Sequence, residues 1–216
     1  MTTQGAQLMV QLEQGFEEFM PDKGTRQILM AAIDVFARKG LTGAKISDIA
    51  QKAGFSQGFV YNYFKSKDDI FTKIVDLASE GAGAMVLKAS AMEGSPYEKI
   101  YWMTEALLSR DSIAMQHWRL IMLQASTSEA VPEEAKRISA EKMGKPIKNL
   151  VSIIIEGQRL GQLVQEDPVM LALTYFSIVQ GLGITRMQVS DKVPFPTVEL
   201  VLGFLRAPGC PAAPNR

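Results

Sequence analysis

Residues Ile46 to Lys67 read ISDIAQKAGFSQGFVYNYFKSK, and the fold turns on how this stretch is parsed. Ile46, Ile49, Ala50 and Ala53 recur at helical spacing and offer a small-residue face that lets a second helix approach closely. Gly54 follows where a sharp turn calls for a positive φ that other residues adopt only under strain. Ser56 is then placed to accept a hydrogen bond from the orphan N–H groups of the next helix. Val60 and Phe64, four apart, are the apolar face of that helix. The stretch is therefore two very short helices, about 46–53 and 57–63, joined by Ala53-Gly54-Phe55-Ser56.

With that core face assigned, Gln57, Gly58, Phe59, Tyr61, Asn62 and Tyr63 fall on or around the exposed side. Their chemistry suits a nucleic-acid duplex. Gln57 and Asn62 can read base edges, ideally bidentate to adenine. The hydroxyls of Tyr61 and Tyr63 can reach phosphate oxygens, and Gly58 removes a side chain where backbone would come close to phosphate. Lys67 opens the following helix at its positive end and is expected to anchor a phosphate.

The charge distribution points the same way. Formal net charge is zero, yet residues 1–20 carry no basic and three acidic residues, whereas residues 21–67 carry eight basic and three acidic, a local +5. Residues 68–216 are close to neutral at −2. One compact basic segment on a neutral chain is the footprint of a phosphate-binding face.

Working outward, Pro21-Asp22-Lys23-Gly24 is a break, and Thr25 caps a helix over about 26–39 that buries Ile28, Leu29, Ala32, Ile33 and Phe36 before Gly40 ends it. Downstream, a longer helix runs from near Lys67 to about Met92, and further helices are expected near 97–109, 111–126, 132–162, 168–188 and 196–206. No hairpin turn or sustained period-two run occurs, so the fold class is all-α.

Composition narrows the function. A hydrophobic fraction of 47% supports a real core. The single Cys210 excludes an intramolecular disulfide and a thiolate metal site, and it fits a reducing cytoplasm. The lone His117, with no partners at ligand spacing, argues against a metal. No stretch approaches the roughly 20 apolar residues of a membrane span, so a soluble protein with no membrane partner is expected. No Walker loop, HExxH, Gly-x-Ser-x-Gly or dinucleotide fingerprint occurs, so neither a cofactor nor an enzymatic activity is expected.

The 25–75 stretch closely resembles the TetR-type repressor family. It keeps Arg26, Ala31-Ala32, Phe36, Gly40, Asp48-Ile49-Ala50, Ala53-Gly54, Ser56, Gly58, Tyr61, Tyr63-Phe64 and Ser66-Lys67 in order. The resemblance implies a sequence-specific DNA-binding transcriptional regulator, a repressor that sits as a homodimer on a near-palindromic duplex operator and is released by a small and largely apolar effector. An alternative is a DNA-binding protein of the same fold whose main partner is another protein. Two departures from the family pattern matter. Lys45 stands where many relatives have a Thr that caps the second helix and touches phosphate; Lys45 can contact phosphate but cannot cap, so capping falls to Ser47 or is absent. Phe59 replaces a frequent Thr, so contact there would be apolar, as to a thymine methyl. The expected DNA contacts are thus Lys45, Ser56, Gln57, Gly58, Phe59, Tyr61, Asn62, Tyr63 and Lys67.

The resemblance divides the chain into an N-terminal amphipathic extension (1–21), a three-helix DNA-binding domain (22–68), a helical effector-binding and dimerisation domain (69–206) and a flexible Pro-rich tail (207–216). The last two helices would pair with those of a second copy, with Leu171, Tyr175, Ile178 and Leu182, extended by Met187, as one stripe. Trp102, Met103, Met115, Trp118 and Met122 are candidates to line an adaptable effector cavity, with Gln124, Tyr175 or Gln180 orienting a polar group on the ligand. Residues 6–20 form an amphipathic helix with Leu8, Leu12, Phe16 and Phe19; either it packs on the DNA-binding unit or Met20 is the true start.

Overall fold

The computed structural model describes residues 1–8, 10, 22–108, 120–125, 128–189 and 192–210, without the side chain of Met187. The helices are α1 (Lys23–Gly43), α2 (Ile46–Ala53), α3 (Gln57–Tyr61), α4 (Lys67–Ala91), α5 (Pro96–Leu108), α6 (Glu133–Lys142), α7 (Gly144–Arg159), α8 (Pro168–Gln188) and α9 (Val198–Val201). Residues 3–8 and 120–125 are also helical. Among the described residues, extended pairing is confined to an isolated antiparallel bridge between Leu163 and Arg206, so the fold is all-α as expected.

The chain divides into two compact units. The first comprises Gln14–Gly81 and Ser112–Met143. Its core gathers Ile28, Leu29, Ala32, Ile33 and Phe36 of α1, Ile49 and Ala53 of α2, Val60, Phe64, and Ile70, Phe71 and Ile74 of α4. Phe36 and Phe71 meet edge to face at 5.4 Å. Ile121, Ala125, Val131 and Ala135 join the same core, so this unit is discontinuous in sequence and takes the 112–143 stretch along with the helix-turn-helix. Lys142 ties α6 to α4 through Asp76 and, at 2.7 Å, Glu80.

The second unit comprises Met1–Glu13, Ala82–Asp111 and Gly144–Arg216. Here α8 packs on α5 and α7, and α9 on α5. Tyr175 is wholly buried and its hydroxyl meets that of Thr104 at 3.0 Å. Tyr101 donates to Glu199 at 2.7 Å. Leu8 is wholly buried in this same core, and the Glu105 carboxylate accepts from the Thr2 N–H and hydroxyl. The described part of the N-terminal extension therefore packs in the second unit, not on the DNA-binding one; Leu12, Phe16 and Phe19 lie outside the described residues.

Several boundaries differ from expectation for identifiable reasons. Asp22, not Thr25, caps α1: its carboxylate accepts from the Thr25 N–H at 2.8 Å, and the helix starts three residues early. The single helix expected over 132–162 is two, broken at Met143, because Gly144 and Pro146 interrupt the ladder of backbone bonds. The helix expected over 196–206 shrinks to Val198–Val201, because the following backbone bonds elsewhere: Val164 N–H to Leu205 O at 3.0 Å and Ala207 N–H to Gln162 O at 2.9 Å. The start of the Pro-rich tail is thereby tied down. Finally, Pro168–Arg186 is long and apolar enough, by length and composition alone, to cross a membrane, contrary to the expectation that no stretch approaches such a span. One side of α8 packs Leu171, Ala172, Tyr175 and Val179 into the core while Val169, Met170 and Leu173 stay exposed, so it is apolar on both sides.

Candidate nucleic-acid interface

The interface is built on α2 and α3. Lys45 is the N-cap of α2 in extended conformation, and the Asp48 carboxylate reaches back to accept its N–H at 3.1 Å. This is the N3-to-N-cap half of a capping box; among the described residues no side chain accepts from the first-turn N–H groups of α2, so neither Lys45 nor Ser47 caps it. A hydrogen bond from Lys39 at 3.0 Å holds the Asp48 carboxyl below its ordinary range, so it stays ionised in this role. Gly54 closes α2 with φ +72°, the left-handed conformation that its lack of a side chain permits. Gln27 of α1 donates to the Ala53 carbonyl at 2.7 Å and fastens the turn to the first helix.

Ser56 then caps α3, its hydroxyl accepting from the Phe59 N–H at 3.1 Å. α3 ends at Tyr61, so Asn62 and Tyr63, expected on the helix, sit in the turn behind it; Val60 O accepts the Tyr63 N–H at 3.0 Å. Gln57, Gly58, Tyr61, Asn62 and Tyr63 are all exposed, Tyr61 to 54%. A β-carbon on Gly58 would meet only the Ser56 hydroxyl, at 3.9 Å. Glycine weakens a helix, and no described residue crowds that position.

Two expected contacts change character. Phe59 is half-buried and its ring lies between those of Phe55 (4.3 Å) and Tyr63 (5.2 Å), which makes it chiefly a prop for Tyr63. Lys67 does not present a free ammonium: its Nζ donates to the carbonyls of Leu41 (2.8 Å), Thr42 (3.2 Å) and Ala44 (3.1 Å). Lys45 is exposed and makes no ion pair among the described residues. The same holds for Lys23 and Lys65, which contributed to the local charge excess but were not singled out from the sequence. Lys23 stands beside Gly24, against which the Tyr63 hydroxyl is packed. Lys23, Arg26 and Lys52 also line an open groove of about 470 Å³ with Gln27, Met30, Ala31 and Ala53.

The described residues proposed for an effector belong to different units. Trp102, Met103 and Tyr175 are buried in the second unit; the Trp102 indole N–H has no hydrogen-bond partner among the described residues. Met122 packs against the first unit's core, where Gln124 donates weakly to Phe36 O at 3.4 Å. Gln180 is exposed. Met115, Trp118 and His117 lie outside the described residues. Of the dimer stripe, Leu171 and Tyr175 point into the core, while Ile178 and Leu182 are half-buried against it. The exposed apolar side chains of α8 are instead Val169, Met170 and Leu173.

A rigid glycine turn, a short capped helix showing polar and aromatic groups, and unpaired lysines around them define a helix-turn-helix protein. Residues 28–74 match the family model for bacterial regulatory proteins of the tetR family. Over 50 residues it is 50% identical to the HTH-type transcriptional regulator YvdT of Bacillus subtilis, spanning 23% of this chain and 26% of that one. Over 68 residues it is 35% identical to the HTH-type transcriptional regulator AcrR of Shigella flexneri, spanning 31% and 32%. The match thus spans about a quarter to a third of these relatives' length. The fold extends further: the fatty acid degradation regulator FadR from Bacillus halodurans superposes with a TM-score of 0.69 at 21% identity, covering 86% of this chain and 98% of that one. A transcriptional regulator from Saccharomonospora viridis, solved in complex with choline, gives 0.68 at 21% identity, covering 82% and 90%.

Proposed function

We propose that this chain is a transcriptional regulator that binds a near-palindromic DNA operator as a homodimer in the cytoplasm and is released by a small, largely apolar effector. The observation that carries the DNA reading is the set Gln57, Gly58, Tyr61, Asn62 and Tyr63, exposed together on α3 and the turn behind it, with Ser56 capping the helix and Gly54 making the turn before it. Gln57 and Asn62 supply base contacts, while Tyr61, Tyr63, Lys23, Lys45 and Lys65 supply phosphate contacts. The family is one of regulators and not of enzymes.

Two recognition helices must stand about 34–36 Å apart to enter successive major grooves, which requires a dimer. The exposed Val169, Met170 and Leu173 of α8 support a second copy covering that face. For the effector, the unpartnered Trp102 indole N–H beside Met103 in an apolar core favours a ligand with one hydrogen-bond acceptor on a hydrocarbon body. Release then requires that the ligand bind one conformation better than the other.

Electrophoretic shift of the purified dimer on the DNA upstream of its own gene tests the reading. A discrete complex at nanomolar protein, outlasting excess random duplex at physiological salt, is expected; equal affinity for random DNA would refute it.

A further inference from the structure

We infer that Lys67 is a positioning residue for DNA binding: its ammonium clamps the end of α1, fixes the turn from which Lys45 and α2 are presented, and does not touch phosphate. This rests on the DNA-binding reading above.

An ammonium group has three N–H donors, and those of Lys67 meet three carbonyl oxygens, Leu41 at 2.8 Å, Thr42 at 3.2 Å and Ala44 at 3.1 Å. These carbonyls lie at the end of a helix, where oxygens lack partners within the helix and the dipole is negative. Beyond the kink at Gly40 the Leu41–Gly43 turn has no basic residue of its own, and Arg38 and Lys39 just before it pair with Asp34 and Asp48. Its chain kinks at Gly40 (φ +67°) and needs the Leu41–Ala44 segment held to deliver Lys45 to the N-terminus of α2. Lys67 supplies a cation to that turn from 23 to 26 residues away.

The surroundings of Lys67 are also wrong for phosphate. It sits in the first turn of α4, where a cation is disfavoured by its own helix. Asp68 and Asp69 follow it, both exposed, and would repel an approaching anion. The helix end is already capped: Ser66 Oγ accepts the Asp69 N–H at 3.1 Å, and the Asp69 carboxylate accepts the Lys65 N–H at 3.0 Å. The position is unfavourable for α4 taken alone and favourable only through what it does for α1.

The two roles separate in the salt dependence of binding. A lost phosphate contact flattens the plot of log K against log salt by about 0.9 per half-site, whereas a lost positioning contact lowers K and leaves the slope alone. The test uses full-length wild type, Lys67→Met, Lys67→Gln and Lys45→Ala, all shown folded at the assay temperature. Anisotropy is followed over about 50–200 mM salt on a duplex that wild type has enriched from a random pool. Lys67→Met is expected to bind at least tenfold more weakly at every salt on a line parallel to wild type. Lys67→Gln, whose amide N–H groups can still reach the carbonyls, recovers part of that loss at the same slope, and Lys45→Ala flattens the slope. A slope flattened in either Lys67 variant, or an unchanged Kd in folded Lys67→Met, overturns the inference. If Lys67→Met does not fold, Lys67→Gln carries the same comparison. Wild type enriching no duplex would remove the DNA-binding reading itself, and the inference with it.

Discussion

The side-chain amide of Gln27 donates to the carbonyl oxygen of Ala53 at 2.7 Å, joining the first helix to the turn 26 residues later. That carbonyl is one of the last of α2, which no intrahelical N–H can reach. Gln27 also lines the open groove beside Lys52, so water can replace part of what the amide supplies.

Gln27→Ala is therefore expected to lower stability by about 1 kcal/mol, the ordinary net worth of such a bond. A urea titration followed by circular dichroism checks it. An unchanged midpoint would mean that the turn holds without this tie.

The turn itself depends on one backbone conformation. Gly54 has φ +72°, and a β-carbon there would meet nothing closer than the Gln27 amide nitrogen at 4.0 Å. Gly54→Ala should thus cost about 1–2 kcal/mol through conformation and not through a clash. Gly54→Asn should cost less, because asparagine enters the left-handed region more readily. Equal losses in the two variants would point to crowding instead.

Ser56→Ala removes the bond to the Phe59 N–H and is expected to cost about 1 kcal/mol. Because α3 has only five residues, its effect on DNA affinity should exceed its effect on Tm. Parallel anisotropy and thermal melts decide; an unchanged Kd would place the capping bond outside recognition.

The helix-turn-helix was legible because each of its devices is a local residue choice. Gly54 and Ser56 announce their roles wherever they stand, and α2 falls at 46–53 as the spacing implies. Lys67 was legible as a cation but not as a clamp, since its partners are backbone oxygens more than twenty residues away. Two residues of the dimer stripe, Leu171 and Tyr175, lie in the core for a different reason: α8 is apolar on both sides, so periodicity cannot say which face the core takes, and the Tyr175 hydroxyl meets that of Thr104 there. Likewise the last helix was shortened by backbone bonds to Gln162 and Val164, which no local pattern encodes.

Acid should loosen the first unit in a defined way. Burial alone would raise the Asp76 carboxyl, but hydrogen bonds from Lys142 and Lys73 outweigh it and hold the group below its ordinary 3.8. A depressed folded pKa means stability that is present above 3.8 and lost as pH falls through the lower folded value. Asp76→Asn is accordingly expected to lower stability by about 1–3 kcal/mol at pH 7 and by much less at about pH 3. Urea midpoints at the two pH values test this. The same deficit at both would show that packing, not charge, is what the substitution removes.

On α8, neighbouring positions should separate assembly from folding. Leu173 is 42% exposed and Leu171 is 7% exposed on the same helix. If a second copy covers the exposed face, Leu173→Glu exchanges an apolar contact for a charge twice in each dimer, once per protomer. At roughly 1.5 kcal/mol per lost side chain, the dimer dissociation constant should rise by about two orders of magnitude while the fold survives. Leu171→Glu puts its charge into the core beside Tyr175 and should unfold the second unit instead. Sedimentation equilibrium and circular dichroism on both variants separate the outcomes. A Leu173→Glu protein that remains dimeric at submicromolar concentration would assign the dimer interface to another face and leave the apolar side of α8 unexplained.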